Sequence, residues 1–419
     1  MPAVNPQILV WARETAGLAL QDAASRVGIR DARGVAAVDR LRALERGEQE
    51  PTRPILVKMA RHYRRPLLAF YLTSPPQRGD RGADFRTLRA ARSSETDALV
   101  DALVRNVRGR QNMVRAALEA EDEADRVPFV GVLSGVEGAR QLMESPRGVL
   151  SRSDVARLVR HAVAALNQVL GEDLSATTYY KQPSAGQAFA LLRTRTEGAG
   201  AFVLLQGDLG SPQTAIDVEV FRGFAIADDF APFVVINDRD SRAAWSFTLL
   251  HELTHLLLGQ TGISGGHLGN EIEEFCNNVA AEWMLPTPVL DEIEVDADQD
   301  VARQQQRISE FARGRNLSRT MVAYRLLRAK RIDSQIFDLL RAAFGEGWRQ
   351  ERERQRARAR ESVGGPDYYT VRRHRVGQGL LTFSRRMVDS GALSTTKAAR
   401  ILGVKPPQVG RMLRPTRAR

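Results

Sequence analysis

The sequence predicts an α+β fold that is mainly helical, and three observations carry that expectation. Apolar residues recur every three to four positions over 7–72, 94–126, 152–170 and again from 243 onward, the period of helices with one buried face. Between these stretches, residues 201–236 switch to short aromatic and β-branched runs bounded by Gly, Asp and Pro, the pattern of a small sheet. The 419 residues are 43% hydrophobic and 26% charged, which suits a folded chain of several domains rather than a disordered one.

Taken in order, four short helices are expected over Gln7–Thr15, Leu20–Val27, Val38–Arg46 and Ile55–Tyr63. Gly17, Gly28, Gly34 and Gly47 separate the periodic stretches, and Pro51 and Pro54 precede the last. Ser74–Gly82 reads as a loop. Strands are expected at Ala201–Leu205, Val218–Phe224 and Pro232–Ile236. A helix follows from Ala243 to Leu258 and another over Glu271–Met284, which Pro286 and Pro288 end. Further helices span Val301–Arg313 and Ser318–Ala329. Arg349–Glu361, with six Arg and three Glu, reads as a solvated helix or a linker. The resulting division is an N-terminal domain (1–74), a helical connector (75–180), a central domain (181–340), a charged linker (341–364) and a basic helical C-terminal region (365–419).

The net charge of +11 is unevenly placed. Residues 1–66 carry +5 and residues 365–419 carry +10, which leaves the middle at −4. Basic ends on an acidic centre point to nucleic acid at the termini; the alternative is Arg used only as a solubilising residue. The single cysteine, Cys276, excludes a disulfide framework and any multi-cysteine metal site. No stretch approaches 18 consecutive apolar residues, and the first twenty carry charges where a signal peptide needs an apolar core. The expected location is the cytoplasm.

The sharpest feature is His251-Glu252-Leu253-Thr254-His255. On a helix, residues four apart share a face, so both imidazoles can reach one Zn²⁺ at about 2 Å. The intervening Glu252 can lie over the open position of the metal and take a proton from bound water. The flanks, Trp245 to Leu250 and Leu256 to Leu258, make an apolar helix in which two His and a Glu are otherwise expensive. The alternative is a structural His pair. A third ligand is required. Glu273 takes that role, on one helix face with Asn277, and Glu274 is the runner-up. His267, in the glycine-rich loop 262–269, has the wrong spacing for the metzincin pattern. Cys276 reads as a small buried apolar residue. Tyr179 and Tyr180 are candidate oxyanion donors.

The stretches RAAWSFTLLHELTHLLLG and IEEFCNNVAAEWMLP resemble the ImmA/IrrE family of zinc metallopeptidases, and GFAIADDFAPFVVIND resembles the small sheet of that family, with Asn237 in its asparagine position. Trp245 and Ser246 stand where many members carry Arg. The resemblance covers about 195–290 and implies a zincin-like domain. It also implies zinc ligands His251, His255 and Glu273, Glu252 as general base, and cleavage of one regulatory protein, typically a repressor.

The N-terminal segment resembles the helix-turn-helix of lambda-repressor-like (XRE family) regulators. The matching residues are the Ala23-Ala24 pair, the run LRALERGEQEPT and the run MARHYRRPL. That resemblance implies a recognition helix over Val38–Arg46 offering Arg40, Arg42 and Arg46 to DNA. The connection Gly28–Ala37 is longer than the usual turn. A helical dimerisation or partner-docking module is the alternative. ADFRTLR at 83–89 resembles the segment that joins such domains to ImmA/IrrE modules. At the other end, LSTTKAARILGVKPPQVGRMLRP reads as a second helix-turn-helix. Ser394 or Thr395 caps its first helix, Gly403 turns the chain, and Lys405, Gln408 and Arg411 face outward. A small bundle packed against the central domain is the alternative.

Two functions fit. One is a DNA-associated zinc peptidase that inactivates a partner repressor or antitoxin. The other is a non-proteolytic regulator or antitoxin of a toxin–antitoxin or mobile-element operon, in which the zinc fold is a sensor or scaffold. A two-fold operator would suit a homodimer.

Overall fold

The computed structural model describes residues 4–76, 94–144, 150–264, 271–295, 300–361 and 367–414. Two compact units emerge, one of 1–107 with 208–216, the other of 108–207 with 217–419.

The first unit holds α1 (Pro6–Glu14), α2 (Leu20–Val27), α3 (Ala37–Glu45), α4 (Arg53–His62), a 3₁₀ turn over Leu67–Tyr71 and the start of α5 (Ser94–Ala120). The expected helices appear within about two residues at either end. Ile8, Leu9, Ala12, Ala23, Ala24, Val27, Leu41, Met59 and Phe70 form its core. Asn5 caps α1, its Oδ1 accepting from Gln7 N at 2.9 Å. Gly28 closes α2 at φ +74, where other residues are strained. The long connection that follows is folded on itself: Ala32 bridges Val35, and Asp31 Oδ1 accepts from Ala37 N at 2.7 Å to start α3. Arg13 grips Glu45 through two hydrogen bonds (2.7 and 3.0 Å), tying α1 to α3 inside the unit.

The second unit begins with the rest of α5 and adds α6 (Glu137–Glu144), α7 (Arg152–Leu170), α8 (Ala176–Tyr180) and α9 (Ala185–Gly198). A four-stranded sheet follows, with β1 (Phe202–Leu205), β2 (Gly223–Ile226), β3 (Phe233–Ile236) and β4 (Gly262–Ser264) in the order β1-β3-β2-β4. Only β1 and β3 run parallel; β2 is antiparallel to both β3 and β4. The second strand starts later than the expected Val218–Phe224. Asp217 explains the shift: its carboxylate accepts from Glu219 N and its carbonyl from Val220 N, both at 3.0 Å, which folds 217–220 into a turn. The fourth strand was expected as loop.

Helix α10 (Arg242–Leu257) crosses behind the sheet, against α7, α9 and α11 (Glu271–Met284). Nearly every residue from Ala244 onward is buried, so it is apolar all round apart from its chemistry. The segment continues with α12 (Thr287–Leu290), α13 (Val301–Gly314), α14 (Arg319–Arg328) and α15 (Ser334–Glu361). The stretch 341–361, expected within a charged linker, is the outer part of α15. Its turns are held by Glu346–Arg349 (2.9 Å), Glu346–Gln350 (3.0 Å) and Glu351–Gln355 (3.0 Å) contacts along the helix.

The basic C-terminal region forms α16 (Tyr368–Val376), α17 (Gln378–Asp389), α18 (Thr395–Leu402), a 3₁₀ turn over Pro406–Gln408 and α19 (Val409–Leu413). These helices belong to the second unit and pack on β1 and α9. Phe383 lies edge-on to Phe202, Arg193 Nη1 donates to His374 O at 2.5 Å, and Gly379 N donates to Glu197 Oε2 at 3.0 Å. Among the described residues no helix is long and apolar enough to cross a membrane.

Candidate metal centre

Helix α10 carries His251 and His255 one turn apart, which sets both imidazoles toward α11. Their Nε2 atoms stand 3.1 Å apart. Glu273, in the first turn of α11, brings Oε2 to 3.3 Å from His251 Nε2 and Oε1 to 3.0 Å from His255 Nε2. Three donor groups therefore face one another at 3.0–3.3 Å, one carboxylate oxygen against each imidazole, and all three side chains are buried. Tetrahedral ligands at about 2.0–2.1 Å from one ion stand about 3.3 Å apart, so the donor set fits a zinc-sized cation.

The rest of α11 supports these donors. Residues 273, 276 and 277 share one helix face. Asn277 Oδ1 lies 3.0 Å from His251 Nδ1, an arrangement that places the proton on Nδ1 and leaves Nε2 free to act as a donor to a metal. The Cys276 thiol is fully buried beside His255. It also forms a possible donor cluster with the two histidines, the ligand atoms lying within 4.8 Å of one another. Glu273 contacts both Nε2 atoms directly and so has the stronger geometric claim to the third position. Glu274, the runner-up, points elsewhere: it is half exposed and pairs with Arg328 at 2.6 Å. His267 and the segment 83–89 lie outside the described residues.

Electrostatics agree with the geometry. Burial disfavours a charged Glu273, yet the imidazoles of His251 and His255 hold its carboxyl well below the usual carboxylate range. Burial likewise disfavours a protonated His255, yet Cys276 and Glu273 raise it well above an ordinary histidine. Burial pushes the Cys276 thiol up to about 11, against the pull of His255. The cluster thus demands positive charge among its donors, from a proton or from a cation.

Glu252, one residue past His251, is fully buried on the side of α10 that meets β2. A Cβ at Gly223 would lie 2.5 Å from Thr248 Cγ2, 2.8 Å from Glu252 Oε1 and 3.0 Å from Val235 O. The first residue of β2 is therefore glycine because the strand passes directly under the Glu252 carboxylate. Gly223→Ala is expected to lower stability by about 1–3 kcal/mol, because the Val235 carbonyl belongs to the sheet and has no room to yield. Thermal unfolding measures this, and an unchanged melting temperature would show that the approach is looser.

Residues 212–327 match the family model of Peptidase M78, described as the IrrE N-terminal-like domain. The match spans just over a quarter of the chain and contains β2, β3, α10 and α11, so every donor of the triangle falls inside it. It supports a metallopeptidase domain here. Neither the search of curated proteins nor that of solved structures found a match.

The other expected residues are placed as follows. Tyr179 and Tyr180 are not free to serve as oxyanion donors, because Tyr179 Oη donates to Asn316 O (3.1 Å) and Tyr180 Oη to Met284 O (2.6 Å). On α3, Arg40 donates to the Arg30 carbonyl, Arg42 pairs with Asp39, and Arg46 extends outward near Glu48 at 3.7 Å. Lys405 is exposed. Gln408 turns back, its Oε1 accepting from Lys405 N at 3.0 Å, and Arg411 is exposed beside the Tyr369 ring. Asn277 was read on the same helix face as Glu273, without its bond to His251, whereas Gly223 and the His255 contact of Cys276 were missed as parts of the site. A glycine opening an apolar strand run was the available signal for Gly223.

Proposed function

We propose that this protein is a zinc-dependent metalloendopeptidase, with His251, His255 and Glu273 as ligands and Glu252 as general base. The observation that carries the reading is the triangle of His251, His255 and Glu273 donor atoms beside a buried Glu252 carboxylate. The family match over 212–327 supports it. Bound there, a zinc ion supplies Lewis acidity and makes water acidic enough to ionise near neutral pH. Glu252, buried in a site of low dielectric, accepts the proton of the attacking water and returns it to the leaving amine. Asn277 fixes the His251 ring, and Glu273 carries the negative charge that makes the donor set attractive to a cation.

The proposed substrate is a partner regulatory protein, a repressor or antitoxin. In this reading the N-terminal unit brings the peptidase to operator DNA. Support comes from the α2–α3 arrangement, closed by Gly28 at φ +74 with Arg46 exposed at the end of α3. The competing reading is a regulator that does not cleave; the buried Glu252 favours the peptidase, because a scaffold has no need of a base. The test is metal content by mass spectrometry. The purified full chain should hold about one equivalent of zinc and lose it, together with peptide cleavage, on chelation. A chain that takes up no divalent cation would remove the basis of the proposal.

A further inference from the structure

Three arginines of the C-terminal helices are satisfied by carbonyls of the same helices. Arg372 Nη2 donates to Leu402 O (3.2 Å) and Gly403 O (2.5 Å), Arg373 Nε to Met412 O (3.1 Å), and Arg385 Nε to Leu413 O (2.8 Å). These guanidiniums cap the carbonyl ends of short helices, where the dipole favours cations. Arg375 has a carboxylate instead, Asp238 at 2.6 Å.

Arg110, on α5, differs from all of these. Its side chain is 5% exposed, its Nε has no hydrogen-bond partner, and no carboxylate offsets its charge among the described residues. The charge that faces it is another cation. Burial first, and Arg372 second, lower Arg110 to about 10. Both guanidiniums converge on one point. A side chain built on Gly403 would meet Arg372 Nη2 at 2.2 Å and Arg110 Nη2 at 2.7 Å, so these two nitrogens are within about 5 Å of each other. Gly403 itself is exposed, as is Lys405 beyond it, so the pair lies under an open stretch of surface.

A buried cation is expensive unless an anion meets it, and the Arg110 fork suits the oxygens of a tetrahedral oxyanion. The Arg372 charge beside it adds to the attraction while its Nη2 stays on the Leu402 and Gly403 carbonyls. We propose that Arg110 and Arg372 form an oxyanion site at the turn between α18 and α19, and that it takes a phosphate group. The group is either free inorganic phosphate or a phosphodiester of nucleic acid. The proposal is independent of the peptidase reading and uses none of its residues.

The test compares thermal unfolding of the full chain in sodium phosphate and in sodium chloride of equal ionic strength. The wild type should gain about 2 °C or more in millimolar phosphate. Arg110→Met should lose that gain and, in chloride, melt no lower than wild type, because an unpaired buried charge has gone. Arg110→Lys, which keeps the charge without the fork, gives the same comparison should the methionine variant fold poorly. Titration with duplex DNA separates the sources. A weaker Arg110→Met complex, with its salt slope reduced by about 1, identifies a phosphodiester. A response to inorganic phosphate alone identifies the free ion. If neither response depends on Arg110, the guanidinium is a structural cap and the proposal is overturned.

Discussion

Glu252→Gln should reduce peptide cleavage by about 10²–10⁴-fold while the protein keeps its fold and its metal. The carboxylate is fully buried, with α10 on one side and the glycine that opens β2 on the other. Glutamine has nearly the same shape and fills the same space, so the packing against Thr248 and Gly223 survives. What disappears is basicity: an amide accepts no proton from water at neutral pH. Removing a buried charge should leave stability equal or slightly higher, which separates this variant from one that merely unfolds. The assay pairs peptide cleavage with a proteomic comparison of cells carrying wild type or Glu252→Gln, in which the uncleaved partner should accumulate in the variant. Wild-type cleavage by Glu252→Gln would sink the general-base role. Normal regulation by the variant, with no protein accumulating, would favour the non-proteolytic regulator.

The part of the site read most securely from the sequence is the part that is local. His251, Glu252 and His255 lie on one helix, whose geometry is fixed by its period, so spacing alone places two imidazoles side by side. Glu273 was reachable too, because an i, i+4 pair with Asn277 shares a face. What spacing does not reveal is which atoms meet across elements. Asn277 holds His251 from another helix, and Gly223 approaches Glu252 from a strand nearly thirty residues earlier. Strand β4 is three residues long and gains its identity by pairing with β2, so no periodicity marks it. Helix α9 was not read because buried Arg193 and Thr196 interrupt its apolar stripe; Arg193 is there to reach the His374 carbonyl. The +10 charge of the C-terminal region marked it as unusual, yet Arg372, Arg373 and Arg385 cap helix ends and Arg375 pairs with Asp238.

Glu273→Gln should weaken metal binding by at least about 100-fold, more than the 10–100-fold typical of losing a supporting group behind a ligand. Glu273 is the only member of the triangle that brings negative charge, and it reaches both Nε2 atoms at 3.0 and 3.3 Å. Its carboxyl is held low because two imidazoles face it, and after Cys276 it helps to raise His255; an amide forfeits the carboxylate's part in both. Glu274→Gln is the matched control, one residue along the same helix. Its carboxylate is half exposed and pairs with Arg328, so its loss costs roughly 0–1 kcal/mol and leaves metal affinity unchanged. Competition with a chromogenic chelator measures both variants. Loss of metal in Glu274→Gln with retention in Glu273→Gln would reverse the assignment of the third ligand. Loss in neither would pass the role to the Cys276 thiol, whose replacement by alanine would then abolish binding.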